Sequence, residues 1–132
     1  MTALSLECGY SAASIRERIY ALPGRYGVLL YTSSPDSEGT LGGLVETGRN
    51  LGRYLKAALR LGALCSNDPV CAGHTPAHSG DDRSVHGAAC HGCLLIAESS
   101  CERRNELLDR ALVVPTLGSP RALAFFADVP VD

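Results

Sequence analysis

The chain has no tryptophan, two phenylalanines and five tyrosines, so aromatics are 5% of its 132 residues. Composition alone therefore argues against a stacking platform for single-stranded nucleic acid. Surplus charge is lacking too: 12 Lys and Arg face 14 Asp and Glu, for a formal net charge of −2. That balance excludes a generally basic nucleic-acid binder and leaves a local patch as the only route to a polyanion. No apolar run approaches bilayer-spanning length, and the start, MTALSLECGYSAAS, lacks the basic n-region and long h-region of a signal peptide. A cytoplasmic chain without membrane contact is expected. No hydrolase triad pattern is present, so neither a catalytic centre nor a small-molecule substrate is expected.

Hydrophobic residues at 45% and charged residues at 20% make an ordinary globular mixture, and the length suits a single domain over 1–132, with a core over about 4–118 and a tail over 119–132. Leu4 to Tyr20 reads as helix-like, with a Ser14/Glu17 capping-box spacing inside it. Tyr26–Thr32 reads as a buried strand. Asn50 suits an N-cap for an amphipathic helix over about 50–64, with Leu51, Leu55, Ala58, Leu59 and Gly62 on one face. Ser99 and Glu102 have capping-box spacing for a C-terminal helix over about 100–112, and Val113–Val114 could add a short strand. The fold class expected is α+β, a small domain with a few short strands.

Residues 65–87 are irregular and rich in Asp, Pro, His, Gly and Ser, an unusual stretch in a small domain unless something ties it down. Cysteines flank it. Five of the six lie at Cys65, Cys71, Cys90, Cys93 and Cys101, spaced C-x5-C, eighteen residues, C-x2-C, seven residues, Cys. Two close pairs 15–20 residues apart form the pattern of a four-thiolate zinc site, because a short turn can aim two sulfurs at one ion. The expected ligands are Cys65, Cys71, Cys90 and Cys93, with Cys101 as a spare or as a replacement for Cys65. A mixed site would recruit His74, His86 or His91. A redox Cys-x-x-Cys would need a βαβ setting that is not visible, and a catalytic Cys–His pair is poorly served by five clustered thiols. Cys8 reads as a core residue.

A second constellation is basic. Arg49, Arg53, Lys56 and Arg60 fall within an arc of roughly 60° on the 50–64 helix, with no acidic residue from 49 to 64. They are either a solvated face or a phosphate-contacting stripe for DNA. Arg103, Arg104 and Arg110 alternate with Glu102, Glu106 and Asp109, which predicts a self-paired, solvated helix. Gly39-Thr40-Leu41-Gly42-Gly43 lacks a P-loop ending and a dinucleotide spacing, so turn or packing glycines are expected there.

The strings LECGYSAASIRERIY (6–20), GVLLYTSSPDSEGTLGGLV (27–45), CSNDPVC (65–71) and GAACHGCLLIAESSCERRNELLDRALVV (87–114) together resemble the MrfA-like zinc-binding domain, in the form found at the C-terminus of DrmB-type subunits of DISARM anti-phage systems. The resemblance covers about residues 4–118. It implies cysteines that hold zinc, and a place beside a helicase-type subunit acting on DNA. Cys90, Cys93 and Cys101, with Asn105 and Leu108–Asp109, match the family signature, and Cys65 and Cys71 match its upstream pair. Helicase motor motifs are absent, so ATP-driven work would belong to another chain. The expected function is a non-enzymatic accessory module that assists DNA engagement or assembly of a defence complex. A zinc scaffold for protein–protein contact alone is the alternative.

Overall fold

A computed structural model of the chain describes residues 1–32, 43–75 and 85–130. The fold is α+β: helices α1 (Thr2–Cys8), α2 (Gly43–Thr47) and α3 (Leu51–Ala63), and a two-stranded antiparallel sheet of β1 (Ile15–Leu22) and β2 (Arg25–Thr32). The chain divides into two compact units, Met1–Leu55 with Ile96–Arg104, and Lys56–Leu95 with Asn105–Asp132. Among the described residues no helix is long and apolar enough to cross a membrane.

In the first unit, α1 ends at Gly9, whose φ of 71° lets its N–H return to Ser5 O at 3.0 Å. The helix expected over Leu4–Tyr20 therefore stops early, and Ile15–Tyr20 is strand. Two facts decide this. Pro23 and Gly24 make a two-residue turn, with Gly24 at φ 70° as position i+2 of a type II turn requires. The turn then brings all eight residues of β1 into register with β2, from Ile15 opposite Thr32 to Leu22 opposite Arg25. Glu17 caps no helix; its Oε1 accepts the Glu102 N–H at 2.7 Å, while Glu102 Oε2 accepts the Ile19 N–H at 3.1 Å. Ser100 Oγ donates to Ala13 O at 3.2 Å beside this pair, so residues 98–102 strap the edge of the hairpin.

The core of this unit is Leu4, Tyr10 and Ile15, flanked by Met1, Cys8, Leu30, Leu44 and Tyr54. Cys8 is thus the core-side residue expected of it. Only the root of the hairpin reaches this core. Strand β2, expected to be buried, is exposed over most of its length, because a two-stranded ribbon has no further layer on it among the described residues. Asn50 is no N-cap either: a 3₁₀ turn, Gly48–Asn50, joins α2 directly to α3.

In the second unit, Leu59 and Gly62 are the buried positions of α3. A Cβ on Gly62 would sit 3.4 Å from Val114 Cγ2, a close packing of the helix on a fully buried valine. Ala88, Ala89, Ala111, Ala72 and Ala124 complete a core of small residues. Backbone bonds join residues 85–88 to 107–110: Leu107 N to Val85 O at 2.7 Å, Gly87 N to Leu108 O at 2.8 Å and Arg110 N to Ala88 O at 3.1 Å. These bonds, with φ positive at Arg104, Asn105 and Leu107, replace the helix expected over 100–112; short 3₁₀ turns at Glu98–Ser100 and Arg110–Leu112 stand in its place. Val113–Val114 forms no strand, since both N–H groups turn back to Arg110 O. Residues beyond Pro115 fold back on the unit: Phe125 and Phe126 donate to Leu112 O and Val113 O, each at 3.0 Å, and Gly118 lies against the Ala72 backbone.

Candidate metal centre

Cys65 follows directly on the end of α3, where Leu64 N bonds Arg60 O at 3.2 Å. The next residues form a tight turn, with Asp68 N on Cys65 O at 3.1 Å and Cys71 N on Asn67 O at 3.0 Å. Cys90 opens a second turn, its carbonyl accepting from the N–H groups of Cys93, Leu94 and Leu95 at 3.0–3.1 Å. The two turns face each other. The Sγ atoms of Cys65, Cys71, Cys90 and Cys93 all lie within 4.8 Å of one another.

The spacing fits a tetrahedral ion. Four sulfurs at about 2.3 Å from one zinc stand about 3.8 Å apart. Here Cys65–Cys90, Cys71–Cys93 and Cys90–Cys93 are separated by 3.4, 3.7 and 3.8 Å. All four are free thiols, Cys71 buried and the others half-buried. An all-sulfur donor set of this size suits zinc and leaves no protein position open for a bound water.

Sulfurs of the cluster are also offered donors. Asn67 N points to Cys65 Sγ at 3.5 Å, Asn67 Nδ2 and Gly92 N to Cys90 Sγ at 3.3 Å each, and Cys90 N to Cys93 Sγ at 3.3 Å. The guanidinium of Arg110 favours the charged form of Cys71. Burial pushes the Cys71 and Cys93 thiols up. Burial opposes ionisation of Cys90 as well, but the bonds from Asn67, Cys65 and Gly92 outweigh it and hold that thiol at about 7. Crowded together, the four sulfurs cannot all shed protons without a cation among them; a divalent ion supplies that charge.

Arg110 is the residue that sequence reasoning misplaced. Expected on a solvated helix, it is fully buried. One terminal nitrogen donates to Gly62 O at 3.0 Å and reaches Ala63 O at 3.5 Å, at the carbonyl end of α3. The other donates to Asp68 Oδ1, which also accepts the Ala72 N–H at 3.1 Å. Helix end, cysteine loop and sulfur cluster thus meet on one guanidinium, whose ordinary charge burial opposes and Cys71 and Asp68 reinforce. Asn67 and Asp68, two turn-forming residues inside the C-x5-C loop, were the readable signal. Nothing in sequence marked Arg110.

The other candidates lie elsewhere. Cys101 is outside the group of four. His74 and His86 stack, with ring centroids 4.6 Å apart and both Nδ1 atoms 3.1 Å from Gly87 O, and His91 is exposed. Among the described residues the cluster able to hold a metal is the four cysteines alone. Of the basic stripe, Arg53, Lys56 and Arg60 are on α3 and Arg49 is in the 3₁₀ turn before it, all exposed. Arg49 pairs with Glu46 at 3.2 Å and Arg53 with Glu7 at 2.5 Å. The 39–43 loop lies outside the described residues except for Gly43, the first residue of α2.

Comparison with known proteins points to zinc. A family model described as the MrfA Zn-binding domain matches residues 1–94. The DISARM protein DrmB of Bacillus paralicheniformis is 49% identical over 118 residues, covering 88% of this chain. The chain spans about one fifth of the length of that relative.

Proposed function

The chain belongs to the MrfA Zn-binding domain family, and we propose on that premise that it is a non-enzymatic, zinc-binding accessory module of a DISARM-like phage-defence complex. The observation that carries this is the meeting of four cysteine sulfurs at zinc-site spacing. Cys65, Cys71, Cys90 and Cys93 hold the ion. Once bound, the ion supplies a cross-link between residues 65–71 and 90–93, and ligation energies of structural zinc rival the stability of a whole domain. Asn67, Gly92 and Arg110 orient the sulfurs. The module works beside a helicase-type subunit, with the motor on that other chain, in the cytoplasm.

On the same reading, the exposed cations Arg49, Arg53, Lys56 and Arg60 help the complex engage DNA. Four phosphate contacts on a duplex correspond to a slope of log affinity against log salt of about −3.6. Reversing Arg53 and Arg60 to glutamate should weaken DNA binding and flatten that slope; unchanged binding would reduce the stripe to solvated surface. A second reading, a zinc scaffold for protein contact alone, is favoured by the pairing of Arg49 with Glu46 and of Arg53 with Glu7. In that case pull-down of a helicase-type subunit survives the reversals and is lost with Cys90→Ser.

A further inference from the structure

The β1–β2 hairpin carries a surface that neither the sequence nor the family assigns. Side chains alternate along a strand, and residues directly opposite in an antiparallel pair share a face. The register therefore sets Arg16, Arg18, Tyr20 and Leu22 on one face with Tyr31, Leu29, Gly27 and Arg25. No acidic residue is on that face. All eight are exposed, Tyr20 by 46% and Tyr31 by 42%. Among the described residues none of the three arginines has a carboxylate partner; Arg18 instead lies 5.9 Å over the Tyr20 ring. This differs from the stripe around α3, where Arg53 pairs with Glu7 and Arg49 with Glu46.

The chemistry of that face is specific. Unpaired guanidinium groups attract a polyanion, and exposed tyrosine rings offer a π surface to unstacked bases. An eight-residue strand runs about 26 Å, room for about four nucleotides. Beside it, a groove of about 320 Å³ separates Arg16, Arg18 and Tyr31 from residues 99–102. The carboxylates of Glu17 and Glu102 in that groove are held by backbone N–H groups and repel phosphate, which keeps the nucleic-acid backbone on the arginine side. The few aromatics of the chain are thus concentrated where composition gave no hint of them: three of the five tyrosines lie in the two strands.

We propose that this face of the hairpin binds single-stranded nucleic acid, with Arg16, Arg18 and Arg25 on phosphates and Tyr20 and Tyr31 under bases. The proposal shares with the reading above only the premise that the module touches nucleic acid, and it assigns the contact to a different element.

The test is fluorescence anisotropy of a labelled oligo(dT) of about 12 nucleotides, titrated with the zinc-loaded full chain at several salt concentrations. Three single-strand phosphate contacts predict a salt slope of about −2, falling to about −0.7 when Arg16→Ala and Arg18→Ala are combined. Tyr31→Ala should weaken binding about five-fold or more, and Tyr31→Phe should keep it. Hydrogen exchange at the Ile19 N–H equal to the parent's certifies that the hairpin of each variant is intact, and every changed side chain is exposed. The proposal is overturned if the hairpin variants bind as the parent does, if Tyr31→Ala is silent while duplex of equal length binds better, or if the parent does not bind. Loss of binding on Arg53→Ala with Arg60→Ala alone would also overturn it, while leaving DNA engagement through α3 intact.

Discussion

Replacing Arg110 by methionine keeps most of the volume of the largest fully buried side chain among the described residues and removes its charge and all its donors. The structure gives the consequences one by one. Asp68, with a side chain only 12% exposed, loses its ion-pair partner and keeps the Ala72 N–H. Gly62 O and Ala63 O at the end of α3 lose their donor. Cys71 loses the cation that favours its charged form. Removing one partner of a buried pair costs about 3–5 kcal/mol, because the other charge stays buried. That is a large part of a total stability of about 5–15 kcal/mol. The second variant is Arg110→Met with Asp68→Asn, which neutralises the stranded carboxylate. It should recover about half of the loss and leave about 1–3 kcal/mol from the unmet carbonyls at the end of α3. Urea unfolding at several fixed free-zinc concentrations measures both, since a metal bound less tightly contributes less stability and the zinc dependence separates that loss from the loss of the buried pair. Loss of metal affinity by about ten- to hundred-fold should accompany the single variant. A single variant within about 0.5 kcal/mol of the parent, the range of an ordinary surface change, would refute the reasoning. So would a double variant no more stable than the single one.

Other perturbations probe separate parts of the fold. Gly118→Ala would place a Cβ 2.7 Å from Ala72 O, so the 115–130 segment must shift; thermal unfolding should register about 1–3 kcal/mol. Gly24→Ala, at φ 70°, should cost about 1–2 kcal/mol by forcing a side chain into the left-handed region, and proteolysis of the hairpin should accelerate. Glu102→Ala removes the acceptor of the Ile19 N–H; hydrogen exchange at Ile19 should quicken while zinc content is unchanged.

Much of this structure was legible in sequence wherever one local rule acted alone. The cysteine spacing gave the cluster because two short turns suffice to aim four sulfurs, and the apolar spacing placed α3 to within a residue or so. Of its expected face, however, only Leu59 and Gly62 are buried, while Leu51, Leu55 and Ala58 are exposed. The failures share a cause. Ile15–Tyr20 has helix-compatible residues, yet the Pro23–Gly24 turn and eight cross-strand pairs outweigh that propensity. Ser99 and Glu102 have the spacing of a capping box, but Glu102 spends its N–H and its carboxylate on the hairpin edge. Arg110 looked solvated because its neighbours are charged; its partners, Gly62, Asp68 and Cys71, are 39 or more residues away and only folding brings them near. Tertiary pairing at that separation leaves no periodic trace in a single chain.

Elemental analysis of the purified chain and its cysteine variants bears on the central point with least inference. The account predicts one zinc per chain, lost in Cys65→Ser, Cys71→Ser, Cys90→Ser and Cys93→Ser and kept in Cys8→Ser and Cys101→Ser. A parent that carries no metal, and that unfolds no more readily with a strong chelator than without one, would contradict it.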